Sequence, residues 1–242
     1  MFRFFENINE NEDLIKLSGD NASHIKTVLR LCNGDEIVVC DGKGNDYSAV
    51  ITLDKNNVYA KLNEKTNNIS EPDYHLTIFQ ALPKADKFEL IIQKCVELGV
   101  YSIVPVITER VIVKADGKKL DRWQKISEAA AKQSQRGTIP IINEIVTLKN
   151  AFKIAANIEN CAVAYEKNVE ESIFMKEWIN SCKGDDYAVF IGPEGGFSEK
   201  EISLFTENGI TMISMGSRIL RTETAPIVFA ACLGYDKTLR NI

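Results

Sequence analysis

The stretch from Val189 to Ala225 constrains the fold more than any other: VFIGPEGGFSEKEISLFTENGITMISMGSRILRTETA. It opens inside a short apolar run, Tyr187–Ile191, with the β-branched and aromatic content of a buried strand. Gly192, Pro193, Gly195 and Gly196 follow, and so many conformationally special residues in succession describe a tight, shaped loop rather than a linker. Ser198 with Glu201 three residues on is the pattern of a capping box, so a helix begins there, and Gly209 marks its end. Thr211–Met215 is a second apolar run, and the loop after it carries Gly216, Arg218, Arg221, Thr222, Glu223 and Thr224. Pro226 then stands in the first turn of a last helix. Two loops at adjacent strand ends, each feeding a helix, are how parallel α/β sheets hold a small molecule.

The chain upstream fits that frame. Residues 1–68 read as a small β-rich domain: short β-prone runs at Glu36–Cys40, Tyr47–Leu53 and Val58–Leu62, with turn-forming links between them and one helix near Asp20–Leu29. Thr66–Asp73, polar and with a proline, is the linker. From residue 74 to 242, apolar runs at Leu76–Leu82, Ile103–Ile107, Cys161–Tyr165, Ala188–Ile191 and Met212–Met215 alternate with helical stretches near Asp86–Leu98, Leu120–Gln135, Val169–Asn180, Glu199–Asn208 and Pro226–Leu239. This alternation describes a mostly parallel sheet covered on both faces.

The 45% apolar content suffices for a sizeable core, and no apolar run approaches the roughly 20 residues of a membrane span. With no signal-peptide pattern at the start, a cytoplasmic location is expected. The six cysteines form no Cys-x-x-Cys pair and read as reduced core or near-core residues, and the two histidines lie near no cysteine pair, so no metal site is expected. The net charge of −5 argues against bulk nucleic-acid binding, yet between Pro83 and Arg136 eleven basic side chains face seven acidic ones. A nucleic acid, if bound, belongs near that segment.

The glycine loop is neither of the common phosphate cradles: no lysine and hydroxyl follow its last glycine, and the G-x-G-x-x-G spacing is absent. Glu194 in its middle repels phosphate and suits a cationic or hydroxyl-rich ligand. Taken in order, GPEGGFS and GSRILRTETA resemble the paired C-terminal signatures of the SPOUT-class methyltransferases. More narrowly they resemble the RsmE family, which methylates N3 of a uridine in 16S ribosomal RNA of the small subunit. The resemblance continues in Asp86–Val100, Glu109-Arg110, Lys114, Arg122–Arg136 and His24–Ile37, and so covers essentially the whole chain. It implies an α/β fold: a SPOUT-type parallel sheet with a C-terminal trefoil knot, preceded by a small β-rich, PUA-like barrel. It further implies S-adenosyl-L-methionine as cofactor, 16S rRNA or the small ribosomal subunit as partner, a homodimer, and neither metal nor membrane.

Position by position, the resemblance implies cofactor contacts at Glu166, Gly192, Glu194, Gly195, Gly196, Met215, Gly216, Ile219, Leu220, Thr222 and Ala225. It implies an RNA face at Arg3, Arg30, Lys84, Arg110, Lys114, Gln133 and Arg136. Uracil N3 carries a proton that must leave, so the chemistry needs an acceptor and a group that stabilises the base anion. Glu223 is the expected acceptor, with Glu194 as the alternative, and Arg221 the expected stabiliser. Glu223 could equally be a helix cap and Arg221 a partner in a salt bridge. The same motifs would serve a SPOUT-like enzyme acting on a ribose 2′-hydroxyl or another base. A non-catalytic RNA-binding protein with this fold is the rival from another class.

Overall fold

The computed structural model describes residues 1–9, 12–55, 57–84, 86–111, 118–165 and 172–240. They fall into two compact units, one of Met1–Glu71 with Ala131–Ile139 and one of Pro72–Ala130 with Pro140–Ile242.

The first unit is a five-stranded sheet of β1 (Phe2–Phe5), β2 (Leu14–Lys16), β3 (Glu36–Cys40), β4 (Asn45–Asp54) and β5 (Asn57–Asn67), in the order β1-β3-β4-β5-β2. Only the β1–β3 pair is parallel. Val58, Ala60 and Leu62 on β5 alternate inward and meet Ala49 and Ile51 of β4 and Ile37 and Val39 of β3, so a period of two builds one apolar layer. The single helix expected over Asp20–Leu29 is instead a short α1 (Gly19–Ser23) followed by a π-helical segment, His24–Leu29. The Thr27 hydroxyl donates to the Ser23 carbonyl, a back-bond that distorts helices, and Arg30 ends the segment at φ 54°. Cys40, like Cys95 of the second unit, is buried, and burial pushes both thiols up to about 12. Cys32 and Cys232 are exposed, against the core or near-core setting expected of all six.

Two ion pairs hold this unit together. Arg3 forks onto Asp46 through two hydrogen bonds of 2.6 and 2.9 Å. Glu71, in the stretch expected to be a linker, accepts five: from Arg136 Nε and Nη2, the Gly137 and Thr138 backbone N–H groups, and the Thr138 hydroxyl. Arg136 is 3% exposed. The polar segment is therefore tied down by the turn that follows a helix more than sixty residues later.

The second unit carries an eight-stranded sheet. Its strands are β6 (His75–Ala81), β7 (Ser102–Ile107), β8 (Ile141–Ile142), β9 (Val146–Thr147), β10 (Asn160–Ala164), β11 (Ile173–Phe174), β12 (Asp186–Ile191) and β13 (Thr211–Ser214). The order is β11-β13-β10-β12-β6-β7-β8, with β9 also on β7, and every pair is parallel. Helices α2 (Lys87–Glu97), α3 (Lys118–Gln133), α4 (Leu148–Ala155), α5 (Met175–Ser181), α6 (Glu199–Glu207) and α7 (Thr224–Arg240) connect or follow the strands. The core is aromatic at its centre: Phe79 stacks on Phe190 at 4.3 Å, and Phe205 meets Phe152, Phe190 and Phe197 edge-on. Helix α7 packs on α2 and on the sheet through β6 and β12. Its Phe229, Ala230 and Leu233 are fully buried, while Tyr235 on the same helix is exposed.

Burial raises the pKa of Glu71, but the hydrogen bonds and charge of Arg136, aided by Thr138, outweigh it and hold the carboxyl below its ordinary 4.5. A lowered carboxyl pKa contributes stability that is complete above the ordinary value and lost as pH falls through the lowered one. Glu71→Gln should therefore cost the first unit about 3 kcal/mol at pH 7, because it removes the carboxylate charge paired with a buried guanidinium. Hydrogen exchange of the β4 and β5 amides measures the loss, and the gap between variant and parent should narrow below pH 4.5.

Candidate functional site

A cleft of about 330 Å³ opens at the carboxyl ends of β10, β12 and β13. Its wall is Ala164 and Tyr165, the loop Ile191–Phe197 apart from Gly195, and the loop from Ser214 to Thr222 apart from Ser217, closed by Ala225 and Lys87. The two loops singled out in the sequence do converge, but their strands are not neighbours. Strand β10 runs between β12 and β13 and pairs with both, so a third strand end completes the site. A short apolar run reveals no strand order, and that is why the sequence placed β12 beside β13.

The first loop is shaped from beneath. Phe197 is buried against Phe205 and fixes the end of the loop to the core. Gly192 is closely packed: a Cβ there would meet the Gly196 Cα and the Phe197 ring at 3.3 Å. Gly196 adopts φ +66°, which an L side chain rarely tolerates. The helix after it starts as the sequence indicated: the Ser198 hydroxyl accepts from the Glu201 N–H, and the Glu201 carboxylate accepts from the Ser198 N–H. Glu201 also accepts from the Glu109 N–H at 2.8 Å, and Ser198 donates to the Glu109 carboxylate at 2.7 Å. Arg110 beside it donates to the carbonyls of Gly195 at 2.5 Å and Phe197 at 3.2 Å. The Glu109–Arg110 turn is thus a brace for the glycine loop.

The two loops are joined by one hydroxyl. Thr222 Oγ1 donates to the Gly192 carbonyl at 2.7 Å and accepts from Gln80 Nε2 at 3.0 Å, while Nε2 also donates to the Ala81 carbonyl. Gln80 is wholly buried at the end of β6. The charged groups meet beside this joint. Lys87 Nζ lies 3.0 Å from Glu194 Oε1 and 3.3 Å from Glu223 Oε2, and Arg221 stands 4.0 Å from the other oxygen of Glu223. Hydrogen bonding to Glu194, then to Glu223, raises the pKa of Lys87. Glu194 is lowered: burial pulls it up, but its own backbone N–H, Lys87 and the Lys84 N–H outweigh that.

Of the residues the sequence proposed for a cofactor, Gly192, Glu194, Gly196, Met215, Gly216, Ile219, Leu220, Thr222 and Ala225 line this cleft, as does Arg221. Gly195 does not; it turns toward Arg110, whose Cδ a Cβ would meet at 3.3 Å. Glu223 sits behind the wall with 14% of its side chain open, and Arg221 is 82% exposed. Glu166 and Lys114 lie outside the described residues. Among the RNA candidates Arg30, Lys84, Arg110 and Gln133 are exposed. Arg3 and Arg136 are engaged with Asp46 and Glu71 inside the first unit. Sequence reasoning passed over Lys87, Gln80 and Phe197. Only Phe197 carried a local signal, an aromatic directly after the glycines.

A cleft at the carboxyl ends of parallel strands defines an α/β protein that binds a small molecule, and comparison with known proteins narrows the class. Residues 70–234 match the RNA methyltransferase domain family, and residues 17–63 match the RNA methyltransferase PUA domain. The chain is 34% identical over 238 residues to the ribosomal RNA small subunit methyltransferase E of Bacillus subtilis, covering 95% of this chain and 93% of that protein. It is 35% identical over 231 residues to the protein of that name in Mesomycoplasma hyopneumoniae, covering 94% and 96%. The crystal structure of a ribosomal RNA small subunit methyltransferase E from Neisseria gonorrhoeae bound to S-adenosyl methionine superposes with a TM-score of 0.86 at 31% identity, over 99% of this chain and 98% of that one. The chain belongs to the ribosomal RNA small subunit methyltransferase E family.

Thr222→Val keeps the shape of the joint and removes its hydroxyl. It strands the Gly192 carbonyl and one donor of Gln80, and should lower stability to urea by about 2 kcal/mol. Thr222→Ser should recover most of that.

Proposed function

We propose that this protein is an S-adenosylmethionine-dependent methyltransferase acting on N3 of a uridine in 16S ribosomal RNA. The observation that carries the reading is the cleft at the ends of β10, β12 and β13, walled by the GPEGGF loop and the loop from Met215 to Thr222. The residues suit the cofactor. A volume of about 330 Å³ holds a nucleoside-sized molecule. Gly192, Gly196 and Gly216 let backbone amides and carbonyls approach an adenine edge, and the acidic Glu194 suits a ligand that carries a sulfonium and an amino group. Bound there, the cofactor supplies an electrophilic methyl carbon. No described residue of the cleft has to do more than align it, because displacement at carbon needs orientation above all.

The uracil needs more. Glu223, whose Oε2 lies 3.3 Å from the Lys87 ammonium, accepts the N3 proton, and Arg221, extended into solvent at the cleft mouth, bonds a carbonyl oxygen of the base. Glu194 is the poorer acceptor, since its Oε1 already takes two hydrogen bonds. Arg30 and Gln133, exposed on the first unit, and Lys84, exposed on the second, are assigned with Lys114 to RNA binding. Arg3 and Arg136 serve it indirectly, through Asp46 and Glu71 inside the first unit. The family's trefoil knot at the C-terminus belongs to the same reading. A site on ribosomal RNA favours the cytoplasm.

A dimer is also proposed. Ile219, 80% exposed at the cleft, and Tyr235 on α7 leave apolar surface for a second copy. Light scattering at micromolar concentration should give twice the chain mass for the parent and the monomer mass for Tyr235→Glu.

The central test is nucleoside analysis of 16S RNA, or of small subunits lacking the modification, after incubation with purified protein and S-adenosylmethionine. N3-methyluridine is the expected product; methylation of a ribose hydroxyl or of another base would overturn the reading. By calorimetry, Arg110→Ala should weaken cofactor binding about tenfold, since it removes two charge-assisted hydrogen bonds to the loop.

A further inference from the structure

Lys87 stands where local physics does not favour it. It is the first residue of α2, at the positive end of a helix, where a cation is disfavoured. Its side chain lines the cleft and is 34% exposed, against 82% for Arg221. Its ammonium touches one carboxylate from each loop, Glu194 at 3.0 Å and Glu223 at 3.3 Å. A residue that breaks a local preference and faces a site marks function more often than packing. An ammonium has three N–H groups, and these two contacts leave one without a described partner.

We propose that Lys87 is a further catalytic residue, whose ammonium stabilises the charge developing on a uracil carbonyl oxygen as the N3 proton leaves for Glu223. The inference rests on the reading of uracil N3 as the target. The bookkeeping of charge is simple. Before reaction Glu223 is anionic and Lys87 is its nearest cation. The N3–H bond breaks and its proton joins Glu223, which becomes neutral. The negative charge passes to the base, and the ammonium turns from a neutralised carboxyl to the uracil oxygen. The N3 electron pair then forms the bond to the methyl carbon, and the pair of the breaking carbon–sulfur bond stays on sulfur. Lys87 neither gains nor loses a proton. A half-buried ammonium is worth more in this role than an arginine in open solvent, because water screens it less.

The rival is structural: Lys87 merely clamps Glu194 to Glu223. The two are separated with 5-fluorouridine, whose fluorine acidifies N3 so that less help is needed to form the anion. Single-turnover methyl transfer is measured for the parent, Lys87→Met and Lys87→Arg on 16S RNA transcribed with uridine or with 5-fluorouridine. Cofactor affinity is followed by calorimetry in parallel. The expected result for Lys87→Met is a loss of about 10²- to 10³-fold on uridine. Most of it should return on 5-fluorouridine and at raised pH, with cofactor affinity close to the parent's. Lys87→Arg, which keeps the charge, should fall between. Equal losses on both RNAs, or a loss of cofactor affinity as large as the loss of rate, would overturn the role of Lys87 while N3-methyluridine is still the parent's product. A parent that forms another methylated nucleoside would overturn the target reading and this inference with it.

Discussion

The hydroxyl of Thr222 is the point on which the cleft depends. It joins a carbonyl of the first loop to a buried amide on β6, and it belongs to the second loop itself. Three strand ends are therefore registered by two hydrogen bonds. The surrounding groups add rigidity from other directions: Phe197 from the core, the Glu109–Arg110 turn from the side, Ser198 and Glu201 from the start of α6. Geometry at a reacting centre is worth several kcal/mol only where it is held, and most of the polar bonds described in the second unit's cleft serve that holding.

The electrostatics follow from the same convergence. Glu194 and Glu223 would repel each other if left alone between the loops, and Lys87 makes their approach favourable. With Arg221 beside Glu223, the cluster's two carboxylates are balanced by two cations. Its cations differ in kind: Lys87 is held and partly dry, and Arg221 is loosely paired and wet.

Much of the second unit was legible because its signals are local. Gly-Pro-Glu-Gly-Gly, Ser198 with Glu201, Gly209 and Pro226 each act within a few residues, and the loop, the capping box and the helix ends lie where those residues indicate. Helix α4 also had local signals, a Thr147 cap and apolar residues at 148, 151, 152 and 155, and was overlooked between longer elements. Strands β8, β9 and β11, two residues each, are too short for any periodicity to show. What no local pattern carries is pairing at a distance. Lys87 reads as one more surface lysine until Glu194, 107 residues on, is beside it, and Arg136 reads as an RNA contact until Glu71 is seen to take it.

The five hydrogen bonds on Glu71 have a consequence for how the chain is made. The N-terminal unit is discontinuous: its last strand ends at Asn67, but Arg136, Gly137 and Thr138 complete it. Domains are generally thought to form one after another as they leave the ribosome. This one has to wait with a carboxylate unmatched until nearly seventy further residues have been synthesised. Until then the β-rich unit is a partly finished sheet, and it is completed only after residues 72–130 of the second unit have been synthesised.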